Sequence, residues 1–231
     1  MHNFFKNTIL ASIVALTFIP DSILAYNPEH LKIVQDYEYN PDLSGRADFK
    51  SFDLSNAVIY QNLTRVDLTD AILNGALIFD KSGRDGAVLT NSILTRASLV
   101  KARLMCADLS NTDLTDANLQ EANLRYAQLA CVKLNRASCH KTRFENTNLQ
   151  NATFEANNLN EAYFDIADLR GAVFNDPENI KCDGADFFGA LIYNDSPIRN
   201  RMTDRQIYRA TWVDRELEAE MFAKLKRPRL R

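Results

Sequence analysis

The 231-residue chain is long enough for one domain of ordinary size with a substantial hydrophobic core. Seven glycines and six prolines are too few for a collagen-like or low-complexity chain. The formal charge of −3 is mild and selects no class of partner by itself.

The N-terminal residues, MHNFFKNTILASIVALTFIPDSILAY, have the layout of an export signal. Lys6 supplies the positive charge, residues 7–20 carry none, and Ala25 offers a small residue for cleavage. The uncharged stretch is shorter than the about 20 residues that a membrane-spanning helix needs. We therefore interpret residues 1–25 as a signal peptide and predict a periplasmic or secreted protein, with no stable membrane span after cleavage.

The segment that follows, residues 26–42, is predicted to form an N-terminal cap. Within it NPEHLKIVQDY favours a short helix, because Asn27 is suited to the N-cap, Pro28 to the first helical position and Glu29 to the first turn.

Residues 43–192 are dominated by a period of five. In one register from Leu89 to Phe174, eighteen consecutive repeats each carry a large apolar residue, which we call the centre, and Cys139 is the one centre that departs from this type. A small residue, usually alanine, lies two positions before the centre, and Asp or Asn most often lies between them. Neither a straight helix nor a flat strand turns every fifth residue the same way, so the chain must bend between repeats.

The register changes twice. Upstream centres run from Phe49 to Ile59 and, one residue early, from Leu63 to Ile78. Residues 79–86 and 175–184 concentrate glycine, charge and proline, and we interpret both as projecting loops. Phe187 and Ile192 are predicted to be the two last centres.

The outward positions, two residues after each centre, indicate how many repeats make a turn. Their charges reverse after twenty residues, as in the series Lys101, Glu121, Lys141 and Glu161 and in the series Arg96, Asp116 and Arg136. Four repeats per turn would stack each charge beside an opposite one at about 4.8 Å. The same stacking predicts four columns of buried centres, with phenylalanines in contact, and an internal hydrogen bond for Asn157, which occupies a small apolar position.

The run ADLSNTDLTDANLQEANL, residues 107–124, resembles the A(D/N)LXX motif of the pentapeptide repeat proteins. That resemblance implies an all-β solenoid, a right-handed quadrilateral parallel β-helix with four repeats per turn. It also implies that some relatives bind type II topoisomerases by mimicking duplex DNA, while most have no assigned role.

Residues 193–231 are predicted to be a C-terminal helix and a basic tail. A capping box of Thr203 and Gln206 favours a helix from Thr203 to Lys226. Its apolar stripe includes Ala210, Val213, Leu217 and Met221. Two interpretations stay open: a cap on the last coil, or a homodimer contact that resembles the pairing of certain family members through their C-terminal segments.

The sequence carries no histidine pair with metal-ligand spacing, no CxxC and no glycine-rich phosphate loop. We therefore predict no catalytic site, no cofactor and no metal. Cys139 is predicted to be a buried thiol, Cys106 and Cys131 to lie round a corner from each other, and Cys182 to lie in the second loop, so no disulfide is expected.

These observations favour a non-catalytic exported β-helical scaffold that binds a protein partner, with no nucleic acid involved. Tyr126 and Tyr163 stand out as exposed aromatic residues and join the C-terminal apolar stripe as interaction candidates. The alternatives are a DNA-mimic topoisomerase-binding protein, and a glycan-binding or enzymatic β-helix. The charge of −5 from Asp42 to Ile192 and its alternating signs disfavour DNA mimicry.

Overall fold

The computed structural model describes residues 27–36, 47–60, 62–79 and 86–219. The predicted signal peptide, most of the first predicted loop, Met221 and the basic tail lie outside these residues. In chain order the elements are α1 Pro28–Asp36, β1 Ala47–Asp48, β2 Val58–Ile59, β3 Val66–Asp67, β4 Leu77–Ile78, β5 Thr153–Glu155, β6 Val173–Asn175, β7 Leu191–Tyr193, α2 Asp204–Arg209 and β8 Thr211–Val213. Two 3₁₀ helices, Pro177–Asn179 and Pro197–Arg201, and helical residues 215–219 complete the fold.

Each repeat is a short extended segment followed by a tight turn. In the repeat centred on Leu94, the Ala97 amide donates to the Leu94 carbonyl at 3.0 Å and Arg96 has φ of 58°. A positive φ at only the third residue of a turn defines type II. The same turn recurs at nearly every outward position, so these positions adopt a left-handed conformation that costs about 1–2 kcal/mol for a residue with a side chain.

The polar position of the motif has a local role. The Asp113 carboxylate accepts a 3.0 Å hydrogen bond from the Thr115 amide, and the Asn118 side chain accepts one from the Gln120 amide at 3.1 Å. Asp and Asn side chains that bond the backbone two residues on stabilise turns of this kind. The motif therefore prefers Asp or Asn at this position, because either side chain can accept a hydrogen bond from the backbone amide two residues further along the chain.

Four parallel ladders connect successive turns of the chain. From Val88 to Val173 the bridged residues are 20 apart, as in Arg103 with Asn123 and Asn123 with Arg143. The chain therefore returns alongside itself after every four repeats, which confirms the predicted number. We call each ladder with its repeats a side. Short parallel strand pairs, such as β5 with β6, mark where the pairing is most extended.

The interior is the predicted set of centre columns together with the small residues. Phe144, Phe164 and Phe187 form a continuous ring stack with centroid separations of 5.0 and 4.9 Å, and Phe154 stacks on Phe174 at 4.9 Å. Each buried centre contributes about 1.5–3 kcal/mol of transfer free energy.

Polar residues at the small positions are buried and hydrogen-bonded. The Thr112 hydroxyl donates to the Leu89 carbonyl at 2.9 Å and the Thr142 hydroxyl to the Leu119 carbonyl at 2.7 Å. The Asn157 side-chain amide donates to the Leu134 carbonyl and, at 3.2 Å, to the Ala137 carbonyl. These bonds remove the penalty of burying a polar group, as predicted for Asn157.

Opposite charges pair between turns on two neighbouring sides, which we call the paired sides. Lys101 lies 3.6 Å from Glu121 and Lys141 lies 3.4 Å from Glu161 on one of them. On the other, the Arg136 guanidinium donates to both oxygens of Asp116 at 2.7 and 2.8 Å. The predicted charge alternation is thus confirmed at the atomic level.

The register departs from 20 at three places. Bridged residues are 19 apart in the first turn, 26 apart across residues 80–85, and 23 apart after Phe174. The second insertion is thus only three residues, and the 3₁₀ helix Pro177–Asn179 accommodates it. The assignment of Cys182 to a loop was wrong, because Asn158 bridges Lys181 and the buried Cys182 is the centre that follows Leu159 in its column.

Helix α1 lies against the first turn. Leu31 and Val34 are buried in the common core, and the His30 ring stacks on Phe52 with centroids 4.3 Å apart. The Asp53 amide donates to His30 Nδ1 at 2.9 Å, and the Asn27 amide donates to the Asp53 carbonyl at 3.0 Å. The Asn27 side chain accepts from the Glu29 amide, as expected of an N-cap.

The single helix predicted from Thr203 to Lys226 is wrong. The capping box is present, but α2 ends at Arg209 and β8 follows it, pairing with β7. The β-branched and aromatic residues Thr211–Val213 suit a strand, and Trp212 stacks 20 residues after Ile192 as a further centre. Long-range pairing with β7 therefore overrides the helical period in this segment.

The last turn replaces ordinary repeats with the 3₁₀ helix Pro197–Arg201 and α2. Ile198, Met202 and Gln206 are buried there. The Gln206 side-chain amide donates to the carbonyls of Cys182 and Ala185 at 2.8 and 2.9 Å. These acceptors belong to the last regular turn, where the Cys182 carbonyl also accepts a hydrogen bond from the Ala185 amide at 3.2 Å, so Gln206 ties α2 to the end of the repeat array.

Candidate interaction surface

One side of the molecule differs from the others in its surface. It consists of the repeats whose centres are Ile59, Ile78, Leu104, Leu124, Phe144, Phe164 and Phe187, joined by bridges from Val58 through Asp186. We call it the aromatic side. Its upper turns carry Tyr60 and Phe79, whose rings stack at 5.7 Å.

The two tyrosines predicted as interaction candidates both lie on this side. Tyr126 is 52% exposed and Tyr163 is 42% exposed, two turns apart and so separated by about 10 Å along the stack. Their common location follows from the ladder that links Asn123, Arg143 and Tyr163. Large exposed apolar residues collected on one face are typical of interaction sites.

Sequence reasoning missed three further exposed apolar residues. Ile166 is 58% exposed and Phe188 is 53% exposed on the aromatic side, and Tyr208, which is 90% exposed, lies in α2 next to Arg209, which contacts Asp186. The twenty-residue period alone places Ile166 in the same column as Tyr126, two turns further along the chain. Phe188 and Tyr208 required the exact length of the second insertion and the break after α2.

Ile166 is strained as well as exposed. Its φ is 57°, and among the described outward positions it is the one β-branched residue in the left-handed region. A β-branched side chain is an outlier there, and such strain is concentrated at functional sites. An apolar side chain kept at this position without burial points to a role at the surface.

Charges on the aromatic side are arranged differently from those on the paired sides. Arg143 donates to Glu145 at 2.8 Å, and Arg209 contacts Asp186 at 3.0 Å while lying 5.2 Å from the centre of the Phe188 ring. Burial raises the pKa of the Asp165 carboxyl, and the nearby charge of Asp186 raises it further. On a paired side, by contrast, the hydrogen bond from Arg136 lowers the pKa of Asp116.

The C-terminal interaction candidates do not form one helical stripe. Ala210 has an extended backbone and packs against the core, Val213 lies in β8, and Leu217 lies in the helical residues 215–219 with its side chain exposed. Glu218 anchors those residues, because it pairs with Arg170 and accepts a 2.7 Å hydrogen bond from the Tyr193 hydroxyl. Their role in dimerisation stays a prediction.

The described residues offer little reactive chemistry. All four cysteines have free thiols. Burial raises the pKa of Cys139 to about 12 and, with Asp183, that of Cys182 to about 11, so neither thiol is poised as a nucleophile. No group of three or more His, Cys, Asp or Glu residues within the described ranges is placed to hold a metal ion. No helix in those ranges has the length and apolar character to cross a bilayer.

A comparison with known protein families identifies repeats of a known type in the chain. The family model for pentapeptide repeats matches residues 102–138 and 137–176 with eight copies. Among curated protein sequences, no match to the chain is found.

Several solved structures are similar at low identity. QnrB1, a plasmid-mediated fluoroquinolone resistance protein, in a trypsin-treated form, is 16% identical with a TM-score of 0.41, covering 80% of this chain and 98% of its own. HetL from the cyanobacterium Nostoc sp. strain PCC 7120, involved in heterocyst differentiation regulation, is 19% identical with a TM-score of 0.16, covering 65% and 91%. A pentapeptide repeat protein from the Arabidopsis thaliana thylakoid lumen is 23% identical with a TM-score of 0.19, covering 71% and 79%.

These similarities carry no inference about what this chain binds. The repeat motif, the four ladders at a spacing of 20 residues and the match over residues 102–176 agree with one another. Residues 102–176 of the chain are pentapeptide repeats.

Proposed function

We propose that this protein is an exported, non-catalytic scaffold that binds a protein partner through its aromatic side. The observation that carries the proposal is the concentration of exposed Tyr126, Tyr163, Ile166 and Phe188 on one side of a repeat array. Aromatic residues are enriched where proteins bind each other. The export signal predicted for residues 1–25 supports a location in the periplasm or outside the cell.

The scaffold itself is proposed to be a closed, right-handed quadrilateral β-helix with a helical cap at each end. Four ladders and a return every four repeats support the quadrilateral form. The contacts of α1 with Asp53 and of Gln206 with the carbonyls of Cys182 and Ala185 support the caps. Solenoids need such ends because an open edge would pair with another chain.

The nature of the aromatic side favours a protein ligand over a glycan. Aromatic rings also stack on sugars, and the two tyrosines would suit that role. The same side, however, exposes the apolar side chains of Ile166 and Phe188, which form no hydrogen bonds with sugar hydroxyl groups. Pairing of opposite charges on the paired sides likewise cancels the field that a DNA mimic requires.

The test is capture of partners from the exported fraction of the source cells with two matched double variants. Tyr126→Asn with Tyr163→Asn removes two aromatic residues from the proposed surface. Ile72→Asn with Val173→Asn removes two exposed apolar residues from the paired sides and serves as the control. We expect the first variant to lose the captured protein and the second to retain it.

Equal retention by both variants, with unchanged circular dichroism, would overturn the assignment of the surface. Recovery of the protein in the cytoplasm with an intact N-terminus would overturn the assignment of location. Capture of a polysaccharide in place of a protein would select the glycan-binding alternative.

A further inference from the structure

The aromatic side separates its charges into two halves. Arginines occupy three successive turns at Arg103, Arg125 and Arg143, whereas acidic residues occupy the last three turns at Glu145, Asp165 and Asp186. The paired sides alternate their charges from turn to turn instead. A surface that is basic at one end and acidic at the other is complementary to itself when it is turned end over end.

Three of these charges lack an ion-pair partner within the described part of the chain. Arg103, Arg125 and Asp165 have no oppositely charged group within 4 Å there, although most charges on the paired sides have one. The Arg125 Nε atom is buried without a hydrogen-bond acceptor.

We propose that the aromatic side binds a second copy of this chain in antiparallel orientation. The inference rests on the proposed function, because it names the partner of the surface assigned there. A two-fold axis would cross the side at the turn of Arg143 and Glu145, and each interacting turn would face the turn equally far on the other side of the axis.

This register brings complementary groups together. Arg125 faces Asp165 of the second copy, and Arg103 faces Asp186 of the second copy, which also contacts Arg209 of its own chain at 3.0 Å. Tyr126 and Met105 face Ile166 and Phe188 of the second copy. Each contact occurs twice, as in any isologous interface. Asp165, whose pKa burial and Asp186 raise in the single chain, thereby gains a cation.

The parallel orientation is less favourable. It would place the turns of Arg103 and Arg125 against the same turns of the second copy, and the turns of Asp165 and Asp186 likewise. Like charges brought together across an interface suppress association. The charge distribution thus selects the antiparallel dimer.

The interface is small. Five turns at about 4.8 Å give a contact about 24 Å long, one repeat wide. Stable complexes usually bury about 800 Å² on each partner, and this contact is smaller. We therefore expect a reversible dimer with a dissociation constant in the micromolar range, about 1–100 µM.

Charge reversal tests the register directly. Sedimentation velocity is measured on the native, processed protein from about 1 to about 500 µM, a range that brackets the expected dissociation constant. Asp165→Arg alone and Arg125→Asp alone should each weaken dimerisation at least tenfold. An equimolar mixture of these two variants should recover the dimer, because each faces the opposite charge in the other. Lys181→Asp, an exposed change on a paired side, is the control and should dimerise normally.

Several outcomes would overturn the proposal. A monomer at every concentration would do so without affecting the proposed function, which depends on the capture experiment. A dimer that ignores both reversals would place the contact elsewhere. If a chain ending at Ala219 loses the dimer while the reversals have no effect, the C-terminal segment forms the contact. Failure of the mixture to recover the dimer would exclude the antiparallel register even if both single variants dissociate.

Discussion

The paired sides and the aromatic side have the same backbone and nearly the same core, but their outward charged and apolar residues are arranged differently. On the paired sides most charges pair with an opposite charge one turn away, as Lys141 pairs with Glu161 and Arg136 with Asp116. On the aromatic side Arg125 and Asp165 remain without an ion pair inside the described chain, next to exposed apolar residues. The comparison shows that the repeat specifies shape through inward positions and leaves the outward positions available for recognition.

The largest expected effects on stability come from the hydrophobic core, which lies beneath the paired sides and the aromatic side alike. Phe154 lies beneath a paired side and Phe164 beneath the aromatic side, and both are buried. Replacing either with alanine should cost about 3–5 kcal/mol in the free energy of unfolding. Phe164→Ala should cost more, because Phe164 stacks on both Phe144 and Phe187, whereas Phe154 stacks on Phe174 alone. Urea denaturation of dilute protein measures both, and a cost below about 1 kcal/mol would contradict the stacked-column core.

The next effect concerns the turn positions. Ile166→Asn should stabilise the fold by about 1 kcal/mol, because Asn tolerates the left-handed conformation and isoleucine does not. Asn146→Ile, one turn earlier in the same column, is the matched reverse change and should destabilise by a similar amount. Melting temperatures at low protein concentration report both. If the two shifts share a sign, backbone strain does not control these positions.

Much of this architecture could be predicted from the sequence because the repeat uses one physical rule many times. A centre every five residues and opposite charges every twenty residues indicated the number of sides, the columns and the pairs of Lys101 and Lys141. These are local periodic patterns, and each copy supports the others.

The wrong predictions concern segments whose structure is determined by pairing with a distant part of the chain. The assignment of Cys182 depended on the length of the second insertion, which is three residues, and the sequence of residues 175–184 does not indicate that length. Thr211–Val213 follow a helical period but pair with β7, so tertiary contact overrode periodicity. The aromatic side was only half visible, because Tyr60, Phe79 and Phe188 join it across turns of irregular length.

A smaller effect tests the paired side against the aromatic side by one charge reversal on each. Lys141→Glu places a third carboxylate in the column of Glu121 and Glu161 and should cost about 0.2–1 kcal/mol at low salt. Arg103→Glu should cost less in dilute protein, because Arg103 has no ion pair within the described chain. The difference should shrink in 1 M salt, since the Debye length falls to about 3 Å. Equal costs for the two reversals would remove the distinction between the sides.

The smallest expected effects concern the pH dependence of stability, to which Asp116 on a paired side and Asp165 on the aromatic side contribute with opposite signs. The hydrogen bond from Arg136 lowers the pKa of Asp116 in the folded protein, so ionised Asp116 stabilises the fold above its unfolded pKa of about 3.9, and this contribution is lost as the pH falls through the folded value. Burial and Asp186 raise the pKa of Asp165, so its ionisation weakens the fold at neutral pH and this penalty disappears at acid pH. Asp116→Asn should therefore lower the melting temperature at pH 7 and Asp165→Asn should raise it, each shift corresponding to a few tenths of a kcal/mol. Both differences should shrink as the pH falls, that of Asp116 only once the pH passes below its lowered folded pKa, and dilute protein keeps Asp165 away from Arg125 of a second copy. A destabilising Asp165→Asn at pH 7 would mean that Asp165 already has a cationic partner in the single chain, and the charge segregation of the aromatic side would then have no unpaired acid to offer.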